Sequence, residues 1–355
     1  MADMRLLERT LAATVPLNKA RRNFLAKFIV ALLRVKTVNL AEIAHAFSGR
    51  ALPESSYKRI QRFLRCFELP YAAVALALVR QAGAPAPFVL TVDRTEWQLG
   101  SVWLNVLVIG VAYKGVALPV LWRVLEKKGC ASTEEKLEAV GRFVRLFGAR
   151  SIAFLAADRE FADRGLFGYL RGQGIDFRIR VKRNALVANG RGQVVQAWRL
   201  FRSQRTGVGL PLPTLRKCWG MELHLTGLRL ASGEYVIVAA PRVAPNALSD
   251  YGRRWEIETL FGCLKSRGFR LEETHVTDPE RLEKLMALLA LAFCWAVVVG
   301  EWLTRHQPPR VKKHGRRWKS LFRHGLDYLR RILCDLESRP KRAEFRRVVL
   351  LLSRT

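Results

Sequence analysis

Acidic residues are scarce in this sequence. It contains 30 Asp and Glu residues against 61 Lys and Arg residues, which gives a formal net charge of +31 at pH 7. A surplus of this size destabilises a compact chain by self-repulsion unless a polyanion lies nearby. We therefore expect nucleic acid as the partner, and an anionic membrane surface is the alternative.

Closely spaced cysteine pairs are absent as well. None of the six cysteines forms a C-x-x-C pair, and the histidines do not complete a zinc-binding pattern. The sequence therefore predicts free thiols in a reducing cytosol. Residues 1–15 contain no continuous apolar stretch, so we expect no signal peptide.

One long apolar run stands against a soluble fold. Residues 285–300 are uninterrupted apolar sequence, and Glu301 ends the run. A membrane-spanning helix needs about 20 such residues, so this run is short for a span. We predict a buried core helix, and a membrane helix is the alternative.

The N-terminal region, residues 1–75, has the pattern of a small helical unit. Residues 16–35, 39–47 and 55–67 each predict a helix. At about 3.6 residues per turn, the third helix has an apolar face and a basic face. The basic face consists of Lys58, Arg62 and Arg65. This layout is typical of a helix-turn-helix DNA-binding region, and a three-helix bundle with a solvated basic face is the alternative.

The central region, residues 76–303, is rich in β-branched residues. Residues 102–125 predict a β-hairpin, and apolar runs that end at Asp93 and Asp158 predict further strands. The order of strands and helices predicts an α/β fold with a mixed sheet. Residues 183–245 contain strand-like segments separated by Gly, Pro and basic residues, and they predict a β-rich insertion.

Asp93 and Asp158 each close a strand in this prediction. A side chain at the carboxyl end of a strand points into the crevice where α/β proteins bind ligands. Aspartate also starts turns, which is the alternative explanation for either residue alone.

The run YGRRWEIETLFGCLK, residues 251–265, combines charges with large apolar residues. As one helix, it would place four polar side chains within a stripe about 60° wide, beside an apolar sector. The four are Tyr251, Arg254, Glu258 and Lys265. The pattern predicts a helix that packs on the core and presents these groups along its edge.

Three carboxylates on separate elements define a specific chemistry. Asp93, Asp158 and Glu258 could hold two Mg²⁺ ions about 4 Å apart, with phosphate oxygens as further ligands. Such a pair activates water or a 3′-hydroxyl for displacement at phosphorus. Arginine and lysine beside the glutamate would bind adjacent phosphates.

The residues of this run resemble a known signature. The pattern Y-x2-R-x3-E-x6-K is matched by Tyr251, Arg254, Glu258 and Lys265. Together with the segments VDRTEW and AADREF, it resembles the insertion-sequence-four family of DDE transposases from bacterial insertion sequences. The resemblance covers residues 86–303 and includes the β-rich insertion and the long apolar helix, which argues against a membrane span.

This resemblance implies a ribonuclease H-like catalytic core. Asp93, Asp158 and Glu258 would bind two Mg²⁺ ions, for which Mn²⁺ can substitute. The implied reaction is nicking at the element ends, followed by attack of the 3′-hydroxyl on the opposite strand to form a hairpin. Hairpin opening and strand transfer into target DNA complete the cut-and-paste pathway.

The resemblance also implies roles in DNA binding. Trp255 lies three residues before the glutamate and would stack on a flipped base, at a cost of a few kcal/mol for unstacking. A second aromatic residue shapes the pocket for that base, and Tyr235 is the candidate, although tryptophan would match more closely.

Backbone phosphates are the implied partners of several charged residues. The contacts would come from Tyr251, Arg254 and Lys265. Arg159 directly follows Asp158 and would contact phosphate too, or else form a structural salt bridge.

The implied partners are the terminal repeats and the target DNA, in a bacterial cytoplasm on the nucleoid and without a membrane. Residues 304–355 predict short basic helices, which would contact the element ends or support a dimer in the synaptic complex. A loosely ordered basic tail is the alternative.

Two other functions fit the same residues. One is a structure-specific nuclease on the same fold. The other is a non-catalytic DNA-binding protein or repressor derived from a transposase.

Overall fold

The computed structural model describes residues 2–47, 49, 51–313, 315 and 317–353. The helices of the described chain are α1 (Ala2–Thr14), α2 (Lys19–Val35), α3 (Leu40–His45), α4 (Pro53–Cys66), α5 (Tyr71–Ala82), α6 (Thr133–Phe147), α7 (Arg164–Gly172), α8 (Ala247–Gly252), α9 (Trp255–Leu264), α10 (Pro279–His306), α11 (Leu321–Cys334) and α12 (Arg339–Leu352). The strands are β1 (Phe88–Leu99), β2 (Val102–Tyr113), β3 (Val116–Leu125), β4 (Ile152–Ala157), β5 (Phe177–Val181), β6 (Leu186–Ala188), β7 (Val194–Gln196), β8 (Gly209–Pro211), β9 (Arg216–Cys218), β10 (Met221–Arg229) and β11 (Tyr235–Ala240).

A mixed sheet organises the fold and confirms the α/β prediction. Its strands lie in the order β3-β2-β1-β4-β5-β11-β10-β9-β6-β7, with β8 paired to β10. β1 is antiparallel to β2 and parallel to β4, and β4 is parallel to β5. The predicted hairpin is β2–β3, with Lys114 and Gly115 at its turn. The helix α6 follows the hairpin, and its N-cap Ser132 forms a capping box with Glu135.

The prediction that Asp93 ends its strand is wrong. β1 continues to Leu99, because its second half stays paired with β2 down to the pair Leu99↔Val102. Only the parallel partner β4 ends at this level, since the last pair between the two strands is Val92↔Ala157. Asp93 therefore lies in mid-strand, at the point where its neighbour on one side stops.

The predicted insertion is rich in short strands, but its last strands extend the central sheet. β11 pairs with β5 in antiparallel register, through Ile237↔Val181, and β10 continues the sheet beyond β11. The pair Val187↔Cys218 joins β6 to β9 at the far end. Residues 197–201, predicted within a strand-like segment, form a short 3-10 helix instead.

The apolar run predicted as a core helix lies within α10. By length and composition alone α10 could cross a bilayer, but 89% of its most apolar 18-residue window is buried inside the protein. The helices α2, α4, α5, α11 and α12 all pack against it. Burial by these neighbours accounts for the apolar composition of the run, as expected for a core helix.

The N-terminal helices have the predicted faces. In α4, Ile60, Phe63 and Leu64 are buried, whereas the basic residues of the opposite face are exposed. The Phe63 ring stacks on Phe24 of α2, with ring centroids 4.2 Å apart. The α3–α4 connection includes positions 48 and 50, which lie outside the described residues.

The two helices α10 and α11 cross at a pair of glycines. A Cβ atom built on Gly325 would overlap the backbone of Ala296, and one on Gly300 would overlap that of Leu321. The absence of side chains at both positions is what allows this close backbone approach. Phe322 then reaches across α10 and stacks on Phe293, with ring centroids 5.0 Å apart.

We predict that Gly325→Ala destabilises the protein by about 1–3 kcal/mol or more, because the new methyl group forces the two helices apart. Gly168→Ala is the matched control, since Gly168 is a helical glycine of α7 whose added Cβ meets nothing within 4 Å. The control should be neutral or stabilise by up to about 1 kcal/mol. Denaturant unfolding of the two variants measures both effects, and equal stabilities would contradict the close crossing.

Candidate functional site

Two aspartates lie side by side where β4 ends. Asp93 follows Val92 and Asp158 follows Ala157, and Val92↔Ala157 is the last pair between the parallel strands β1 and β4. The two carboxylates therefore emerge at the same level of the sheet from adjacent backbones. Their sequence positions 65 residues apart converge because β4 returns parallel to β1.

The run predicted as one helix from Tyr251 to Lys265 is broken in two. Tyr251 lies in α8, Arg254 lies in the turn before α9, and Lys265 follows the end of α9. The single helical wheel is therefore wrong for this run. Its charged side chains nevertheless meet, because the turn directs Arg254 into the protein, where its side chain is only 4% exposed.

Arg254 is the centre of the site. Its Nη1 lies 2.7 Å from Oε1 of Glu258 and 3.4 Å from Oδ2 of Asp93. Its Nε donates a hydrogen bond of 3.1 Å to the hydroxyl oxygen of Tyr251, which in turn donates one of 3.1 Å to Oδ1 of Asp158. One guanidinium thus reaches all three predicted carboxylates, two of them directly and one through a phenol.

The surroundings shift the proton affinities of these groups. Burial raises the pKa of Asp93 to about 6, and nearby Glu160 and Asp158 add to the shift, while the Arg94 N–H and Arg254 oppose it. Burial also raises the pKa of Tyr251 to about 12, so its hydroxyl stays protonated and can donate to Asp158. Burial, more than the neighbouring charges, therefore sets the proton affinities of both groups.

A second arginine, which sequence reasoning missed, ties the two aspartate segments together. The Nε of Arg94 donates to both carboxylate oxygens of Glu160, at 3.0 and 2.9 Å, and its Nη1 lies 2.8 Å from Glu96. The backbone N–H of Arg94 donates to Asp93 at 2.8 Å. Because Glu160 comes two residues after Asp158, this contact fixes the spacing of the two segments. The available signal was that each residue flanks a predicted aspartate.

Lys265 and Trp255, two further residues predicted to contact DNA, make no ion pair or hydrogen bond with the three carboxylates among the described residues. Lys265 pairs with Glu272 at 2.7 Å, and its Nζ lies 5.6 Å from the centroid of the Trp97 ring. Trp255 is 58% exposed and lies against Arg254, whose guanidinium carbon is 4.7 Å from the centroid of its ring. The structure therefore offers the Trp255 ring to solvent beside the carboxylate cluster.

Arg159 is exposed and forms no salt bridge with any residue that the structure describes. It lines an open groove of about 850 Å³ beside Asp158, together with Lys182 and Trp219. The arrangement does not favour the structural salt bridge considered as its alternative role.

Tyr235 lies at the start of β11 and is half-buried. Its ring centroid is 6.2 Å from that of Trp198, a residue of the short 3-10 helix that sequence reasoning did not single out. Its backbone oxygen accepts from Arg180, whose Nη1 is 4.0 Å from Asp158. Arg180 therefore connects the aromatic pair to Asp158 of the carboxylate site.

The predicted basic face of α4 is not part of this cluster. Its residues make no ion pair within the described chain, and α4 packs on α3 and α10 instead. The face consists of Lys58, Arg62 and Arg65. They remain predicted DNA contacts that lie on a separate element.

The chemistry of the site suits a hard divalent cation. All three converging acids are carboxylates, and Mg²⁺ prefers oxygen ligands. In the described part of the chain, no three acidic, His or Cys side chains are grouped closely enough to hold an ion as they stand. The guanidinium of Arg254 lies against Asp93 and Glu258.

A family model and a solved structure are similar to this chain. The family model of the transposase DDE domain matches residues 134–295, a segment that contains Asp158 and Glu258 and begins after Asp93. The match supports a DDE transposase family. No curated protein is significantly similar to the chain. Among solved structures, the chain is similar to a piggyBac transposase synaptic complex with hairpin DNA, with a TM-score of 0.48 and 11% identity over 99% of this chain and 83% of that chain.

The pKa of Asp93 leads to a testable pH dependence. Because the folded pKa of about 6 lies above the ordinary value of 3.8, the folded state binds more protons between these pH values. Stability from this group is therefore complete at low pH and is lost as the pH rises through 6. Between pH 4 and 7, in the presence of a chelator, the wild type should lose about 1–3 kcal/mol more unfolding free energy than Asp93→Asn.

Asp335→Asn is the control for this measurement, since Asp335 is exposed near the C-terminus. Its pH profile should follow that of the wild type. Parallel profiles for the wild type and Asp93→Asn would show that folding does not raise the pKa of Asp93.

Proposed function

We propose that the chain is a DDE transposase, which cleaves DNA at the ends of an insertion sequence and joins those ends to target DNA. The observation that supports this most strongly is the convergence of three carboxylates from separate elements on Arg254. The domain match over residues 134–295 and the net charge of +31 support the same function.

The central strands support a ribonuclease H-like core for this activity. Three antiparallel strands, β1 to β3, are followed by β4 and β5 in parallel, each after a helix, in the order β3-β2-β1-β4-β5. In this order β1 is the central strand of the five and lies next to β4, which ends just before Asp158. Glu258 reaches the same place from α9, which packs against β1 and β3.

Asp93, Asp158 and Glu258 are the proposed ligands of two Mg²⁺ ions, for which Mn²⁺ can substitute. When bound, such ions activate water or a 3′-hydroxyl and stabilise the leaving oxygen in an in-line displacement at phosphorus. The protein contributes the spacing of the carboxylates, through the contact of Arg94 with Glu160 and the hydrogen bond from Tyr251 to Asp158.

The charged and aromatic residues around the carboxylates are the proposed grip on DNA. Tyr251, Arg254, Lys265 and Arg159 would contact backbone phosphates, since Arg and Lys bind phosphate oxygens with charge-assisted hydrogen bonds. The exposed ring of Trp255 would stack on a base turned out of a hairpin intermediate. Its exposure beside the cluster supports this role.

The flipped base would also need a second aromatic surface. Tyr235 and its neighbour Trp198 are the proposed pocket, because their rings lie near each other on the side of Asp158 reached by Arg180. A tryptophan would match the family more closely at the position of Tyr235, and the neighbouring Trp198 would provide that ring.

The helical ends are proposed to bind the terminal repeats and to support a dimer that holds two ends together. The basic face of α4 and the exposed cations around α11 and α12 favour this assignment. Transposition requires two ends to be paired, which a second copy of the chain can provide.

We predict that Glu258→Gln abolishes DNA cleavage in Mg²⁺ or Mn²⁺ but leaves DNA binding within about threefold of the wild type, because most of the affinity comes from cations that remain. The matched control is Glu256→Gln on the same helix, which pairs with Arg253 instead of Arg254. Thermal melting of both variants identifies any loss of folding. Full cleavage by Glu258→Gln would show that Glu258 is not required for catalysis.

Joining of donor ends to a target plasmid separates the proposed function from its alternatives. A transposase joins the ends covalently, whereas a nuclease on the same fold cuts without joining. Tight binding with no cleavage in either metal would identify a non-catalytic DNA-binding protein.

The basic face of α4 yields a separate prediction. Replacing Lys58, Arg62 and Arg65 by glutamine should weaken DNA binding and reduce the slope of log K against log salt by about 2–3, because each lost phosphate contact releases about one counterion fewer. Fluorescence anisotropy at several salt concentrations measures the slope.

The control removes the same charge from α6, from α7 and from the short 3-10 helix Ala149–Ser151 that follows α6. Arg145, Arg150 and Arg171 are exposed, and their replacement by glutamine should change the slope by less than about 1. Equal effects of the two triple variants would mean that binding depends on total charge and not on α4.

A further inference from the structure

The guanidinium of Arg254 occupies the space between the carboxylates. Its Nη1 is within 2.7 Å of Glu258 and 3.4 Å of Asp93, and its Nε is tied to Asp158 through Tyr251. The side chain is 4% exposed, so this positive charge is desolvated and cannot exchange these partners for water.

A metal ion and this guanidinium cannot occupy the same space. Mg²⁺ binds its oxygen ligands at about 2.0–2.1 Å, and a positively charged nitrogen placed between two of those ligands repels the ion. The carboxylates that would bind the metal are the same ones that now neutralise Arg254. Ion binding therefore requires Arg254 to give up its contacts with Asp93 and Glu258.

We infer that Arg254 is an internal counter-cation that competes with divalent metal for the carboxylates and releases them when another anion takes the arginine. The inference rests on the proposed function, because it takes Asp93, Asp158 and Glu258 as metal ligands. A DNA phosphate is an anion of the required kind, since guanidinium pairs with phosphate in bidentate geometry.

The competition couples metal binding to DNA binding. Without DNA, a displaced guanidinium would have no anionic partner, so Arg254 stays among the carboxylates and lowers their affinity for metal. With DNA, the phosphate accepts the arginine and the metal enters, so each ligand favours the other. The arrangement confines metal loading, and thus strand cleavage, to the DNA-bound protein.

The sequence neighbour of Arg254 supplies a matched control. Arg253 points elsewhere, with its Nη2 donating to the backbone oxygen of Ala112 at 3.2 Å and its Nε paired with Glu256. Replacement of either arginine by glutamine removes one positive charge from the same turn. Only Arg254→Gln frees the three carboxylates.

The test is the affinity of the DNA-free protein for Mn²⁺ alone, measured by calorimetry or by the electron paramagnetic resonance of free Mn²⁺. Arg254→Gln should bind Mn²⁺ about tenfold tighter than the wild type or more, as expected for a coupling of this size. Arg253→Gln should stay within about twofold of the wild type, and Arg254→Lys, which keeps the charge, should bind more weakly than Arg254→Gln.

The melting temperature provides a second measure. Arg254→Gln should melt lower than the wild type in chelator, because the carboxylates lose their counter-charge, and should gain more from added Mn²⁺. A variant too unstable to purify is replaced by Arg254→Lys, for which affinity close to that of the wild type is expected.

An Asp158→Asn background distinguishes the two ways the account can fail. In one case, Asp158→Asn loses Mn²⁺ affinity, but Arg254→Gln binds Mn²⁺ no more tightly than the wild type. This result would overturn the competition while leaving the metal site intact. Mn²⁺ binding that is insensitive to Asp158→Asn in every variant would overturn the proposed metal site itself.

Discussion

The site depends on one buried guanidinium, which contacts two carboxylates directly and is linked to a third through the hydroxyl of Tyr251. Asp93, Asp158 and Glu258 come from a strand, a strand end and a helix, and without a cation between them they would repel one another in a partly buried place. Arg254 provides that cation. The turn between α8 and α9 is what brings it inward, so a local break in helical structure is a requirement of the site.

The scaffold around this contact is built to hold the carboxylates at a fixed spacing. The parallel pairing of β1 with β4 sets the level of the two aspartates, and Arg94 with Glu160 ties the segments that follow them. α10 is buried between strand β3 and helices from both ends of the chain, which pack against it. Burial raises the pKa of Asp93, so the ionised form of this carboxyl lowers the stability of the protein at neutral pH.

Much of the fold can be predicted from the sequence, because the spacing of hydrophobic residues indicates which face of a helix or strand is buried. The hairpin β2–β3, the strand before Asp158 and the apolar helix α10 were predictable on that basis. Two features were not: the continuation of β1 past Asp93 and the break at Arg254. Both depend on partners distant in sequence, the pairing with β2 and the carboxylates of other elements. Of the signature residues, Tyr251 and Glu258 contact Arg254 in the structure, although the single helix predicted for the run was wrong.

The most direct test of the central claim uses a DNA fragment with the sequences that flank this gene. The fragment is incubated with purified protein and Mg²⁺ or Mn²⁺, beside an Asp158→Ala variant, and the 3′ ends are mapped. The account predicts discrete, metal-dependent cuts at the element boundary that are absent with the variant. Cuts of the same position and extent with Asp158→Ala would contradict it, because the three carboxylates would then not form the catalytic site.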